Sequence, residues 1–277
     1  GVRGFAGPGT QILDLNGKMV LPGFFDSHLH PVAAAGLVLG ANLHDRRTAD
    51  ECLAAVREYA QANVDKPVIR GAGWSNTSFP VGGPRKDSLD AIVADRPVAL
   101  ISEDGHSLWV NSTTLALAGI TAETPDPPGG VIEREPDSGA PRGTLREAAM
   151  ELVEGIIPDF DTAEQKVGLL AFQEMAGKRG VTSVLDAHSS GAIEAYKELE
   201  DEHALTVRYR GSLLVEPEDG LEKVGELVAE RARHSGPNFQ TRAAKIFVDG
   251  VGEGETAYLL EPYSHRPDYR GELLWDL

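Results

Sequence analysis

A single cysteine, Cys52, in 277 residues rules out an intrachain disulfide and a cysteine-rich zinc centre. It falls in an amphipathic helical pattern, where a free thiol serves as a small apolar filler. Long apolar runs are missing too. No stretch of about 18 uninterrupted apolar residues occurs, so no membrane-spanning helix is expected. Excess positive charge is also absent: 26 Lys and Arg face 43 Asp and Glu, a formal net charge of −17. That balance argues against nucleic acid or an anionic membrane surface as partner. The acidity suits a solvated surface and identifies no substrate. The N-terminal stretch has no basic region followed by an apolar core, and a cytoplasmic location is the default expectation. The composition, 41% hydrophobic and 25% charged, is that of a globular protein, and the length allows one large α/β domain or two smaller ones.

What is present begins with one short run, Val20-Leu-Pro-Gly-Phe-Phe-Asp-Ser-His-Leu-His-Pro31. It is apolar and strand-like, and it ends in two histidines one residue apart. On a strand, residues i and i+2 share a face, so His28 and His30 can aim at one point. Neutral imidazole suits zinc, iron or nickel. His-X-His alone is a weak signal that surface histidines produce by chance. The Pro22-Gly23 before it and Pro31 after it favour half of a metal site.

Residues 11–20 read strand, turn, strand about Asn16-Gly17, a type I′ hairpin signal. A lone hairpin is marginal in water, so residues 1–19 are expected to be the remnant of a small β-sandwich. Thr48-Ala-Asp-Glu51 is a capping box opening a helix through Ala62, with Leu53, Val56 and Ala60 on its apolar side. Residues 68–74 and 98–102 read as buried strands, and 112–118 as a short helix stopped by Gly119. Residues 121–143 hold five prolines among several glycines, which excludes a helix and favours an exposed loop or irregular hairpin over a linker.

A strong helix follows at 161–178, with Val167, Leu170, Ala171 and Met175 on one face and Gly180 as its stop. Strand 181–188, helix 191–202, strand 206–214, helix 218–234 and strand 243–249 come next. This rhythm means a parallel sheet with crossover helices. With the His28 strand it makes half of a (β/α)8 barrel of the TIM type, a fold that takes about 250 residues. The expectation is an α/β chain whose residues 20–277 form the first half of such a barrel, interrupted by an α/β insertion at about 31–160. The pattern is unfinished at Leu277.

Several polar residues sit where chemistry could be done, and each has a plainer assignment beside it. Lys245, flanked by apolar residues in Ala-Ala-Lys-Ile-Phe-Val-Asp249, is costly unless paired, neutralised or modified. It is either a strand-end lysine reaching water or a lysine in the barrel mouth, carbamylated as a metal ligand or acting as a base. Asp249, Asp186 and His188 lie at strand C-termini, where barrel active sites are found, although simple strand-end polarity is the favoured explanation of Asp186 and His188. Glu147, read as opening a helix after the Pro/Gly loop, is either dipole chemistry or a carboxylate delivered to the metal. His106, in Asp-Gly-His-Ser-Leu-Trp-Val-Asn111, could bind substrate, and Trp74 either does likewise or packs in the core. His44, His203 and His234 are expected to be solvated.

Together these runs resemble the amidohydrolase superfamily, and within it the amidohydrolase 3 (YtcJ-like) group. The matching segments are Leu21-Pro-Gly-Phe-Phe-Asp-Ser-His-Leu-His30, Arg70-Gly-Ala-Gly-Trp74, Asp104-Gly-His-Ser-Leu-Trp-Val-Asn-Ser112, Gly180-Val-Thr-Ser-Val184 and Lys245-Ile-Phe-Val-Asp-Gly250. They are spread in order over nearly the whole chain. The resemblance implies a distorted (β/α)8 barrel beside a β-sandwich, with His28 and His30 as first-strand metal ligands. It implies Lys245 as the often carboxylated fourth-strand lysine and Glu147 as a glutamate near the metal. Trp74, His106 and Asn111 are implied to help cover the pocket, and Asp249 is grouped with them as substrate-binding. Two further ligand histidines and the catalytic aspartate would fall beyond Leu277, since His265 stands in a loop sequence.

The activity expected is metal-dependent hydrolysis of an amide or other C–N bond, as in an N-acyl or N-formyl amine or a cyclic amide, through a metal-activated water. The cofactor expected is one or two divalent ions, zinc by default with iron or manganese open. The partner expected is a small-molecule substrate, with homodimerisation left open. Two alternatives stand beside this: a non-catalytic fragment or pseudoenzyme, and a barrel hydrolase of an ester or phosphoester.

Overall fold

A computed structural model describes residues 2–252 and 255–275. Among the described residues ten strands fall into two sheets. Strands β1 (Phe24–Leu29), β8 (Val181–Asp186), β9 (Arg208–Val215) and β10 (Phe239–Ile246) form a four-stranded parallel sheet in that order. Strands β2 (Ala41–Asn42), β3 (Ile69–Trp74), β4 (Val98–Ser102), β5 (Ser107–Val110), β7 (Pro141–Glu147) and β6 (Gly130–Arg134) form a mixed six-stranded sheet in that order. The expected rhythm of parallel strands is therefore present, but the barrel is not closed. Among the described residues β1 and β10 have no outer neighbour, and Phe24, Phe25, Ile246 and Val248 near these edges are exposed.

The helices are α1 (Ala34–Leu39), α2 (Ala49–Ala62), α3 (Lys86–Asp90), α4 (Ser112–Leu117), α5 (Thr162–Lys178), α6 (Ile193–Asp201) and α7 (Glu222–Arg233). Capping boxes start the two longest, where Thr48 and Glu51 bond reciprocally, as do Asp161 and Glu164. The α2 sequence buries Cys52, Val56 and Ala60 against β3 and β4, so the thiol is the apolar filler its pattern indicates. The six-stranded sheet is apolar on both faces. Val98 and Leu100 of β4 join Trp74 and Trp109 in one core, while the intervening Ala99 joins Val110, Ile132 and Leu145 in another.

Helices α5 and α6 cover one face of the parallel sheet, where Leu169, Ala176, Tyr196 and Leu199 meet Val184, Tyr209 and Phe239. The opposite face is open and carries the chemistry discussed below. The buried face of α5 differs from the one its periodicity suggested. Val167 and Leu170 are exposed, and Gly168, Leu169, Gln173 and Ala176 are buried. The cause is a close helix crossing: a Cβ on Gly168 would stand 2.5 Å from the Ala35 amide nitrogen of α1. A hydrophobicity pattern does not register a residue selected for lacking a side chain.

Of three further local expectations two change, and the irregular hairpin holds. The Asn16-Gly17 turn forms, with φ of 49° and 78°, yet residues 11–20 pair with no strand among the described residues. The proline-rich segment 121–143 contributes β6 and the start of β7, an irregular hairpin. Strand β10 begins at Phe239 rather than at 243, because Phe239 anchors it in the helix-side core.

The Gly168 contact gives a paired test on one helix. Gly168→Ala should destabilise the fold by about 1–3 kcal/mol through overpacking. Gly177→Ala, where an added Cβ meets nothing within 4 Å, should stabilise it by up to about 1 kcal/mol. Urea denaturation of both variants checks the pair; equal shifts would refute the crossing.

Candidate metal and substrate site

Strand parity decides which side chains reach the open face. Leu29 of β1 pairs with Asp186 of β8 and packs into the helix-side core. His28 and His30 flank Leu29 and therefore turn the other way. Their ring centroids are 5.6 Å apart, edge to face. For Lys245 parity alone gives the wrong answer. Thr241 pairs with Gly211, but Ala243 pairs with Ser212, a one-residue register shift at Arg242. Beyond the shift Lys245 pairs with Leu214 rather than Val215, which moves it from the Phe239 face to the open face.

These groups gather at the C-terminal ends of the parallel strands. Burial, together with the nearby charges of His28, Lys245, His188 and His106, pushes the His30 imidazole down to about 4. At neutral pH its ring is uncharged, with a lone pair available. Burial and Lys245 also push His188 down, and its ring lies 6.0 Å from that of Phe247. Lys245 Nζ sits 4.4 Å from the centroid of Phe247 and has no hydrogen-bond or ion-pair partner among the described residues. The site is thus a group of imidazoles about one lysine, with His28 and His30 exposed and His188 and Lys245 partly buried.

His106 reaches the same cluster from the six-stranded sheet. It ends the tight turn between β4 and β5, where Gly105 takes φ 81°. Asp104 caps that turn by accepting from the His106 N–H at 3.0 Å. A polar chain holds Asp104 in turn: Asn76 donates to it at 3.1 Å, and Arg146 donates to Asn76 at 3.1 Å and to Ser107 at 2.9 Å. The His106 ring bonds through Nδ1 to Glu147 Oε2 at 2.8 Å, and this partner is the main cause of its raised pKa.

Glu147 does not open a helix. It ends β7 with φ 48° and ψ −129°, backbone that costs a non-glycine residue on the order of 1–3 kcal/mol. Its oxygens face His106 and the Thr256 hydroxyl, the latter at 2.5 Å. The expected four-ligand set of His28, His30, Lys245 and Glu147 is therefore not assembled around one point. Among the described residues no three His, Cys, Asp or Glu side chains converge as a metal ion requires. His28, His30 and Lys245 share the open face instead, while Glu147 is turned to His106 and Thr256.

Two residues expected at the pocket lie in the core instead. Trp74 is 0% exposed, packs edge-on against Phe79 and Trp109, and donates from Nε1 to the Leu100 carbonyl. Asn111 is likewise fully buried; its side chain caps α4 by accepting from Thr114 N–H and donates to the Val93 and Arg96 carbonyls. Neither presents an atom to a substrate. Asp249 accepts from the Tyr258 N–H at 2.9 Å, closing the loop that follows β10. His234 is not simply solvated, since its Nε2 meets Glu230 at 3.0 Å.

His188 was undervalued by its sequence context. The missed signal is an Asx residue two positions before a histidine. Asp26, Asn42, Asp104 and Asp186 each accept the backbone N–H of His28, His44, His106 and His188, at 3.0–3.1 Å. Three of those four histidines belong to the cluster.

Asp186 supplies a pH test. It is 1% exposed, bonds the Tyr196 hydroxyl at 2.7 Å, and is pushed up to about 6 by burial. Between about pH 4 and pH 6 the folded protein keeps a proton that an unfolded aspartate releases. Stability is therefore lost as pH rises through that window, on the order of 2–3 kcal/mol. Asp186→Asn should lack this loss, so its urea midpoint should improve relative to wild type between pH 4 and pH 7. Parallel profiles would contradict the assignment.

The Amidohydrolase family profile matches residues 11–274. The putative amidohydrolase YtcJ of Bacillus subtilis is 32% identical over 98% of this chain and 51% of its own length. The N-substituted formamide deformylase of Arthrobacter pascens is 36% identical over 55% of this chain and 28% of its own. An uncharacterized metal-dependent hydrolase from Pyrococcus horikoshii superposes with a TM-score of 0.65 at 25% identity, covering 97% of this chain and 51% of that one. The chain thus spans about half the length of relatives it matches almost end to end. From its ordered motifs and this likeness, the chain belongs to the amidohydrolase family.

Proposed function

We propose that this chain carries the first-strand metal half-site of a hydrolase that cleaves a C–N bond other than a peptide bond, an N-formyl or N-acyl amine being the substrate class tested first. One observation carries the reading: the open face of the parallel sheet brings together His28, His30 and an unpaired Lys245. His28 and His30 would hold a divalent ion, zinc by default, and Lys245 would join them, carboxylated or as the free amine. Such an ion lowers the pKa of bound water toward 7 and polarises a carbonyl. Phe247 shields Lys245, and His106 overlooks the cluster from the second sheet. Substrate orientation falls to His106 and the loop closed by Asp249.

The free edges of β1 and β10 support the larger architecture, a distorted (β/α)8 barrel completed by further strands. In that architecture residues 31–160 are the insertion and residues 1–19 belong to a small β domain. The formamide deformylase likeness favours amide over ester chemistry. A second reading, a barrel that binds no metal and catalyses nothing, is favoured by the lack of three convergent His, Cys, Asp or Glu side chains among the described residues.

The test uses the protein at its full encoded length. His28→Ala combined with His30→Ala should remove most bound metal by elemental analysis and reduce N-formyl amine hydrolysis by at least about 100-fold. Unchanged metal content and turnover would defeat the first reading. Wild-type protein that binds no metal would establish the second.

A further inference from the structure

We infer that Glu147 is not a metal ligand but the positioning residue of His106, and that His106 meets the substrate through Nε2 in the hydrolase proposed above. An ionised carboxylate only accepts hydrogen bonds. The 2.8 Å contact to Glu147 Oε2 therefore places a hydrogen on His106 Nδ1. Nε2 is left as the ring atom free to bond elsewhere, and it has no partner among the described residues. In the uncharged ring Nε2 accepts a hydrogen bond, and in the charged ring it donates one. Either form can meet a polar group beside the scissile bond.

The hold on His106 is built from both directions. Glu147 N–H donates to the His106 carbonyl at 3.2 Å, so backbone and side chain grip the same residue. Glu147 Oε1 accepts the Thr256 hydroxyl at 2.5 Å, and that hydroxyl accepts the Val251 N–H at 2.9 Å. The loop after Lys245's strand thus fixes the carboxylate that fixes the imidazole. Gly250 leaves the room for this, since a Cβ there would stand 2.1 Å from Thr256 Oγ1 and 3.0 Å from Glu147 Oε1. The left-handed backbone at Glu147 is maintained against its cost, as expected where a side chain must be aimed. Both side chains are largely shielded, at 24% and 16% exposure, which strengthens the bond between them. This orienting of a histidine by a carboxylate follows the same logic as an outer-shell carboxylate behind a metal-bound imidazole. Here it acts on a histidine aimed at substrate.

The full-length protein, labelled with 15N-histidine, gives a readout independent of turnover. Wild-type His106 in its uncharged form should carry its hydrogen on Nδ1. In Glu147→Ala it should shift to Nε2, the form free imidazole side chains prefer. Glu147→Gln and His106→Gln should each lower kcat/KM for an N-formyl amine by about 10–100-fold, and the double variant should be no worse than His106→Gln alone. Thr256→Val, a milder change, should give a smaller loss of the same kind. All five variants should retain wild-type metal content. Metal loss in Glu147→Gln, additive losses in the double variant, or a wild-type Nε2–H ring would overturn the assignment. A wild type that turns over no C–N substrate would instead sink the proposed function, while the ring-hydrogen and metal measurements still decide what Glu147 does.

Discussion

Everything at the site depends on which face of the parallel sheet a residue occupies. The constraint is steric and binary, because a strand residue lies either against α5 and α6 or on the open side. Leu29 packs with Tyr196 and Tyr209 in the helix-side core and so commits His28 and His30 to the open face. Asp186, opposite Leu29, is drawn under the sheet to the Tyr196 hydroxyl. The register shift at Arg242 then turns Lys245 to the histidines' side. Without it Lys245 would share a face with Phe239 and Thr241 and have no access to the cluster.

The second sheet is joined to this arrangement at few points, and they bear on chemistry as much as on stability. Helix α1 lies between α5 and β3, with Gly168 and Gly36 permitting close approach to Ala35 and Ala72. Arg70 of β3 pairs with Glu164 at 2.6 Å and stacks over Phe160. At the strand ends the link is His106, Glu147 and Thr256. The six-stranded sheet, with apolar cores on both faces, carries His106 close enough to His30 and Lys245 for their charges to act on one another.

The sequence was legible where local chemistry decides structure. The capping box at Thr48, the helix from Asp161, the β-strand at 98–102, and the His28-Leu29-His30 alternation all follow from side-chain type and spacing. The family was legible as well, because its motifs recur in order. What could not be read depends on partners distant in sequence. The register shift in β10, the exchange of α5's buried face and the pairing of Glu147 with a histidine 41 residues away all belong to this class. Trp74 takes the core alternative and Asn111 is buried with it, because motif membership does not distinguish a residue that touches substrate from one that holds the motif's backbone. Asn111, bonded to the ends of the β4 and α4 segments, is of the second kind.

The proposed function rests on the open face of the parallel sheet being a metal half-site. Its most direct measurement is an anomalous difference map at the zinc edge, from crystals of the protein at its full encoded length. The account predicts a peak at about 2.0–2.1 Å from ring nitrogens of His28 and His30, on the Lys245 side of the sheet and away from Glu147. A map with no peak there, or with its peak on Glu147 or on other residues, would contradict it.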